Sequence, residues 1–168
     1  MIPIPGVYYT PLQRHPDERG FFNEIFRADA GFGALVQANH SRSAAGVLRG
    51  LHYHRWQADL WYVPNGTIQV GLADLRQHSE SPATAVVEMS SESPATLYIP
   101  PGIAHGFLAI TECDLIYWVT AYYDASDEFG IAWDDETLAI EWSVSDPILS
   151  PRDRANPLLS WSDIPSFS

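Results

Sequence analysis

Short apolar runs that end at Pro or Gly are the feature of this chain that most limits its fold. Thirteen Pro and eleven Gly are spread over 168 residues, and the segments between them show almost no helical periodicity. The runs have the length of strands and are rich in β-branched and aromatic residues. They span residues 6–12, 20–26, 47–53, 60–63, 67–75, 85–89, 96–99, 106–110 and 115–123. This pattern predicts an all-β antiparallel jelly-roll sandwich with little helix.

The remaining segments give weaker signals. Pro64-Asn65-Gly66 predicts a turn, residues 29–35 could form one helical turn, and residues 37–43 are polar and edge-like. The length favours a single domain over residues 1–168. Within it, four prolines punctuate residues 146–168, which we expect to wrap the surface with at most one helical turn.

Charge and composition exclude several functions. A net charge of −12 argues against nucleic-acid binding, although a few converging Arg side chains can still bind an anionic small molecule. The chain has nine Arg and no Lys, so a lysine Schiff base cannot form. No signal peptide or membrane span is expected, which makes the cytoplasm the expected location. The single cysteine, Cys113, has no basic neighbour in sequence and is expected to be an inert thiol.

Three histidines and one aspartate occur at spacings typical of a metal site. In a β-like run, His52 and His54 are two positions apart and would point to the same face. Asp59 follows within five residues, and His105 comes after a Pro-x-Gly turn. The pattern Gly46, His52-x-His54, Asp59, Gly66 and then Pro100-x-Gly102-x-x-His105 resembles the two-part cupin signature, with Asp in place of Glu.

Imidazoles and a carboxylate are good ligands for Zn²⁺, Fe²⁺, Mn²⁺ or Ni²⁺. The spacing therefore predicts a divalent metal held by His52, His54, Asp59 and His105. The alternatives are hydrogen-bonded histidines of a core or cleft, and metal-free proton transfer. Of the other histidines, His78 is expected at the surface.

A wider set of segments carries a resemblance to a known family. In chain order the segments are Asp17–Phe22 with Glu24, Gln37–Ser41, Gly46–Tyr53, Ile99–Phe107, Tyr117, Tyr122-Tyr123, Glu128 and Ile148–Asp153. From about residue 17 to 157 the chain resembles the dTDP-4-dehydrorhamnose 3,5-epimerases. These are cupin-fold enzymes that act on nucleotide-linked 4-keto-6-deoxysugars by proton exchange beside the ketone.

The resemblance implies a role for each matching residue. His52 would be the base, Asp153 its orienting partner and Tyr117 the acid on the opposite face. Arg19 would contact the diphosphate, and Phe22 could stack on the nucleotide base. The other residues that would line the substrate site are Glu24, Gln37, Asn39, Arg49, Tyr123 and Glu128. The resemblance also implies a homodimer and no organic cofactor.

The chain departs from the family at the metal-type positions. The family usually has Gln where this chain has His54 and Lys where it has Asp59, and its connection between them is two residues longer. That Lys would stabilise an enolate, whereas a carboxylate would oppose one. All three differences restore the metal-binding spacing, and a metal ion would supply the missing positive charge.

Three functions follow, in order of preference. The first is epimerisation of a nucleotide-linked 4-keto-6-deoxysugar. The second is a metal-dependent cupin enzyme acting on another keto-sugar or a small carbonyl compound. The third is a cupin that binds a nucleotide sugar without catalysis, having lost the Lys.

Overall fold

The computed structural model describes residues 2–77, 79 and 81–167 of the chain. The predicted surface position of His78 lies outside these residues. Nearly all regular structure is β-strand, with one 3₁₀ turn at Ala125–Asp127 and one helical turn, α1, at Pro151–Arg154. The strands are β1 Tyr8–Pro11, β2 His15–Asp17, β3 Gly20–Phe22, β4 Gln37–Ser43, β5 Leu48–Tyr53, β6 Asp59–Asn65, β7 Thr67–Asp74, β8 Thr84–Ser90, β9 Ala95–Ile99, β10 Ile103–Ala109, β11 Cys113–Val119 and β12 Phe129–Gly130.

Two five-stranded antiparallel sheets form the body of the protein. Sheet I has the strand order β1-β9-β6-β11-β4, and sheet II has the order β12-β5-β10-β7-β8. Strands that are neighbours in a sheet are mostly distant in sequence, as expected of a jelly roll. The predicted all-β cupin-type fold is therefore confirmed.

The main core fills the space between the sheets. On β7, Ile68, Val70 and Leu72 are fully buried and pack in one cluster with Leu97 and Leu115 of sheet I. Their spacing of two residues places them on one face of the strand. The sandwich is thus held by apolar burial between the sheets.

A second core covers the outer face of sheet II. Leu51 and Ala104 pack there against Ile131, Leu138 and Ile164 from the C-terminal third of the chain. At Gly71 an added Cβ would lie 2.7 Å from the Trp142 ring, which explains why a residue without a side chain occurs there. The C-terminal part of the chain therefore packs against this face, and its helical turn α1 contacts β5.

The sequence predicted most elements but not all. Residues 29–35 form turns and bends instead of the expected helical turn. His15–Asp17 is a strand that the polar composition concealed, and it pairs with β3 in a separate two-stranded hairpin. At most one helical turn was expected in the tail, and its described residues have one, α1. Within the described ranges, no helix is long and apolar enough to cross a membrane.

Candidate active site

A pocket of about 650 Å³ opens between the two sheets. Its walls come from β4, β5, β6, β10 and β11, together with residues 121–128 and 148–153. Most residues predicted from the sequence meet here. They are Gln37, Asn39, Arg49, His52, His54, Asp59, His105, Tyr117, Tyr123, Glu128 and Asp153.

His52 and Asp153 form a hydrogen-bonded pair at one side of the pocket. His52 Nε2 lies 2.7 Å from Oδ1 of the buried Asp153. The carboxylate is held by α1, which Ser150 caps by accepting a hydrogen bond from the Asp153 N–H at 3.0 Å and which begins with Pro151. The strand β5 thus supplies the imidazole and the helical turn supplies its partner.

The electrostatics of this pair fix the tautomer of the imidazole. Burial acts to raise the pKa of Asp153, but the hydrogen bond and charge of His52, together with hydrogen bonds from Ser150 and the Gly50 backbone, hold it below its usual value. An ionised carboxylate only accepts hydrogen bonds, so Asp153 holds a proton on Nε2 of His52. Nδ1 is therefore the nitrogen of His52 that is left to accept a proton, as a general base requires.

Tyr117 lies on the opposite wall, on β11 of sheet I, whereas His52 lies on β5 of sheet II. Burial raises the pKa of the Tyr117 phenol, and the charges of Asp59 and Glu128 raise it further against a smaller opposing effect of Arg49. The phenol therefore keeps its proton at neutral pH. A proton acceptor and a proton donor thus face one pocket from different sheets.

Two arginines bring positive charge to the pocket of this acidic protein. Arg49 Nε donates to Ser43 Oγ at 2.9 Å, and Arg152 lies 2.7 Å from Glu128 in an ion pair. Burial acts to raise the pKa of Glu128, but Arg152 holds it below the usual value. Guanidinium groups bind phosphate oxygens with directed hydrogen bonds, so this side of the pocket suits an anionic group.

A polar wall lies beside the arginines. Gln37 Nε2 donates to Asn39 Oδ1 at 2.8 Å, and the backbone N–H of Tyr123 donates to Gln37 Oε1 at 3.3 Å. Gln37 and Asn39 alternate along β4, so both side chains reach the same face. This wall offers amide donors and acceptors to a sugar or a nucleotide base.

His54, Asp59 and His105 form a second polar group in the pocket. One ligand-type atom from each lies within 4.8 Å of the others, and His105 Nε2 is 4.0 Å from Asp59 Oδ2. Burial lowers the pKa of His105 to about 4, in spite of the opposing charge of Asp59. The imidazole is therefore neutral near pH 7.

Each member of this group is oriented by a second hydrogen bond. His54 Nδ1 is 2.7 Å from the Asp127 carbonyl oxygen, and His105 Nδ1 is 2.9 Å from that of Ile103. A carbonyl only accepts, so both Nδ1 atoms donate, which leaves Nε2 as the possible ligand atom of each ring. Asp59 accepts from the side chains of Gln57 and Trp61 at 2.9 and 3.0 Å.

The predicted set of four metal ligands is thus not brought together as four. His52 is absent from the ligand group found among the described residues, because its Nε2 bonds to Asp153 instead. The predicted conflict between a metal ligand and a base at His52 does not arise in this geometry. The His52–Asp153 pair and the group of possible metal ligands thus consist of separate residues.

Three predicted substrate residues lie away from the pocket within the single chain. Arg19, Phe22 and Glu24 belong to the hairpin β2–β3 and the segment that follows it. The Arg19 side chain is 84% exposed and pairs with Asp17, and Phe22 is 67% exposed. The hairpin joins neither five-stranded sheet, and among the described residues none of these three lines the pocket.

Several pocket residues were not singled out from the sequence. Arg152 lies in the proline-punctuated tail next to Asp153, and Gln57 and Trp61 donate hydrogen bonds to Asp59. Asp127 also accepts backbone N–H groups of Arg55 and Trp56 at 2.8 and 3.2 Å, and so fixes the turn that carries His54. The alternation of Gln57, Asp59 and Trp61 was the one available signal, since it places three side chains on one face.

The strands β5 and β10 approach closely at two glycines beside the site. A Cβ on Gly106 would lie 2.6 Å from the Arg49 carbonyl oxygen and 3.1 Å from Gly50 Cα. Gly106→Ala is expected to lower the free energy of unfolding by about 1–3 kcal/mol and to reduce activity, because His52 and His105 lie on the two strands that would separate. Urea denaturation and turnover measure both effects.

The matched control is Gly33→Ala, where an added Cβ has no neighbour within 4 Å although φ is +76°. This variant should lose stability only through the strained backbone conformation, and it should keep its activity. Equal losses of activity in the two variants would contradict the steric explanation.

The fold and pocket define a cupin-type enzyme that has a histidine–aspartate pair facing a tyrosine. A family model for dTDP-4-dehydrorhamnose 3,5-epimerase matches residues 1–160. The chain belongs to the dTDP-4-dehydrorhamnose 3,5-epimerase family and is an epimerase. The resemblance drawn from the motifs is confirmed.

Individual relatives agree with this membership. A spore coat polysaccharide biosynthesis protein of Bacillus subtilis is 43% identical over 84% of this chain and 97% of its own length. A dTDP-4-dehydrorhamnose 3,5-epimerase of Salmonella typhimurium is 39% identical over 93% of this chain and 92% of its own. An epimerase structure from Legionella pneumophila, in complex with dTDP-4-keto-L-rhamnose, has a TM-score of 0.89 at 34% identity, with coverage of 99% and 96%.

Proposed function

We propose that this protein epimerises a dTDP-linked 4-keto-6-deoxysugar at a carbon atom next to the ketone. The observation that carries the proposal is the placement of the His52–Asp153 pair and the Tyr117 phenol on opposite walls of one pocket. Inverting a carbon centre requires a proton to leave from one face and another to arrive on the opposite face. The two walls supply one group for each step.

The chemistry follows from the ketone. His52 Nδ1 takes a proton from the α-carbon, and the electron pair of the C–H bond moves into the enolate, whose negative charge rests on the ketone oxygen. Tyr117 then donates its proton to the other face of that carbon as the carbonyl re-forms. His52 releases its proton to solvent and the tyrosinate regains one, so the enzyme returns to its starting state with the carbon inverted.

The pocket is suited to a nucleotide-linked substrate. Its volume of about 650 Å³ falls within the range of small-molecule sites. Arg49 and Arg152 are placed to meet a diphosphate, and the amides of Gln37 and Asn39 to meet polar edges of the sugar or base. The Legionella relative, which is crystallised with dTDP-4-keto-L-rhamnose, supports the choice of nucleotide and keto-sugar.

Proton exchange in D₂O tests the function. The protein is incubated with dTDP-4-keto-6-deoxyglucose, and deuterium at C3 and C5 is followed by NMR together with the configuration of each carbon. We expect enzyme-dependent deuterium uptake with inversion. Tight dTDP binding without exchange, by folded protein, would reject the epimerase proposal and favour a non-catalytic nucleotide-sugar binder.

We also propose that the active form is a homodimer in which each hairpin β2–β3 completes the partner's pocket. The hairpin is paired with neither sheet, and it exposes Phe21 and Phe22 at 55% and 67%. Large exposed aromatic side chains beside an exposed Arg favour a contact surface. This arrangement would bring Arg19, Phe22 and Glu24 to a substrate.

Complementation between two inactive variants tests the shared site. Arg19→Ala would impair the hairpin and His52→Asn the pocket, and in a mixed dimer one of the two sites has both parts intact. Co-expressed, differently tagged variants should recover about a quarter of the wild-type activity at random pairing. Recovery no greater than that of the separate variants would place the complete site within one chain.

A further inference from the structure

We propose that His54, Asp59 and His105 bind a divalent first-row transition-metal ion in the pocket. The inference goes beyond the proposed function, because proton transfer between His52, substrate and Tyr117 is complete without a metal. It rests on how three side chains from different parts of the fold are placed and oriented.

The first support is the convergence of three ligand atoms. Asp59 begins β6 in sheet I, His105 lies on β10 in sheet II, and His54 follows β5. Their ligand-type atoms lie within 4.8 Å of one another. Ligands around tetrahedral zinc are about 3.3 Å apart, so the group needs to contract by at most about 1.5 Å. The half-buried His54 is the member with room to move.

The second support is the orientation of the two imidazoles. Each donates its Nδ1–H to a backbone carbonyl, that of Asp127 for His54 and that of Ile103 for His105. Nε2 is therefore the nitrogen of each ring that is left for a ligand bond, and that of His105 lies 4.0 Å from Asp59 Oδ2. Two nitrogen lone pairs and a carboxylate repel one another when no cation lies between them. A bound cation is attracted to all three. A carbonyl that fixes the tautomer is also the usual outer partner of a metal-binding histidine.

The third support is the state of the carboxylate. Asp59 is 3% exposed, and each of its oxygens accepts one neutral donor, from Gln57 or Trp61. Those donors orient the carboxylate and leave further lone pairs available. Among the described residues, no Arg pairs with Asp59, whose one ion-pair contact is His105 at 4.0 Å. A buried carboxylate of this kind is stabilised by a bound cation.

The ligand set selects the class of ion. Two imidazole nitrogens and one carboxylate suit Zn²⁺, Fe²⁺, Mn²⁺ and Ni²⁺, whereas Mg²⁺ and Ca²⁺ prefer all-oxygen sites. Three protein ligands leave coordination positions open toward the pocket. If the proposed function holds, an ion here would place positive charge near the enolate oxygen formed during proton transfer.

Direct metal binding tests the inference without relying on activity. Full-length protein without a histidine tag is stripped with a chelator, and Co²⁺ is titrated while its d–d absorption is recorded. Zn²⁺, Mn²⁺, Fe²⁺ and Ni²⁺ are then titrated by calorimetry. We expect saturation near one ion per chain, ligand-field bands from imidazole coordination, and a higher midpoint of thermal unfolding with metal.

Matched variants identify the ligands. His54→Gln and Asp59→Asn should each weaken binding by more than about 100-fold, because changes to outer-shell residues alone cost about 10–100-fold. His52→Asn removes a neighbouring imidazole, and His15→Asn removes an exposed one, so both should bind as wild type does. Circular dichroism checks that each variant is folded.

The outcomes separate this inference from the proposed function. The metal site is overturned if wild-type protein shows no saturable binding. It is also overturned if His54→Gln and Asp59→Asn bind metal as tightly as wild-type protein does. Saturable binding that these variants lose supports the site even where no deuterium exchange occurs. Exchange without metal binding supports the epimerase function and rejects the metal site.

Discussion

Replacing His52 with Asn should lower both deuterium uptake and epimerisation by about 10²–10⁴-fold, the usual contribution of a general base. The variant loses the nitrogen that accepts the α-proton, and the shorter Asn amide does not reach Asp153 as the His52 Nε2 does. We expect little change in dTDP affinity, because His52 is not among the residues placed to meet the nucleotide. Exchange rates from NMR in D₂O and dTDP binding by calorimetry measure the two expectations.

Asp153→Asn is the sharper companion variant, because it preserves shape and changes the tautomer. An amide that donates to His52 Nε2 would place the imidazole proton on Nδ1, where the base needs a lone pair. Replacing this one oxygen atom with nitrogen is therefore expected to lower deuterium uptake and epimerisation about as much as His52→Asn does. Exchange near the wild-type rate in both variants would mean that another group, such as Glu128, is the base.

The fold could be predicted because its signals are local. The β7 segment shows this, since Ile68, Val70 and Leu72 alternate in the sequence and all three are buried in the structure. The hairpin strand His15–Asp17 was missed because all three of its residues are exposed. An exposed strand has no buried face and therefore no alternation to detect.

The site was harder to predict because its partners are far apart in sequence. His52 and Asp153 are separated by 101 positions, and no spacing rule connects them, so only the family resemblance suggested the pair. The His-x-His spacing placed His52 and His54 on one face, as two residues of a strand. The strand instead ends at Tyr53, and the Asp127 carbonyl turns His54 toward Asp59 and His105. The two imidazoles therefore belong to different groups.

Tyr117→Phe should separate removal of the α-proton from delivery of a proton to the opposite face. His52→Asn abolishes both steps together. The base remains, so the α-proton still leaves as the enolate forms. In D₂O the exchanged His52 can return deuterium to the same face, but nothing returns it to the opposite face. Deuterium uptake with retained configuration is therefore expected to persist, whereas inversion should fall by about 10²–10⁴-fold.

The phenylalanine ring keeps the packing of Tyr117 between Asn39 of β4 and Trp61 of β6, which are its register partners. A general loss of stability should therefore not accompany the loss of inversion, and thermal unfolding checks this. Equal losses of uptake and inversion would mean that the phenol also helps to form the enolate. Unchanged inversion would exclude the half-buried Tyr117 as the acid, because another group would then deliver the proton.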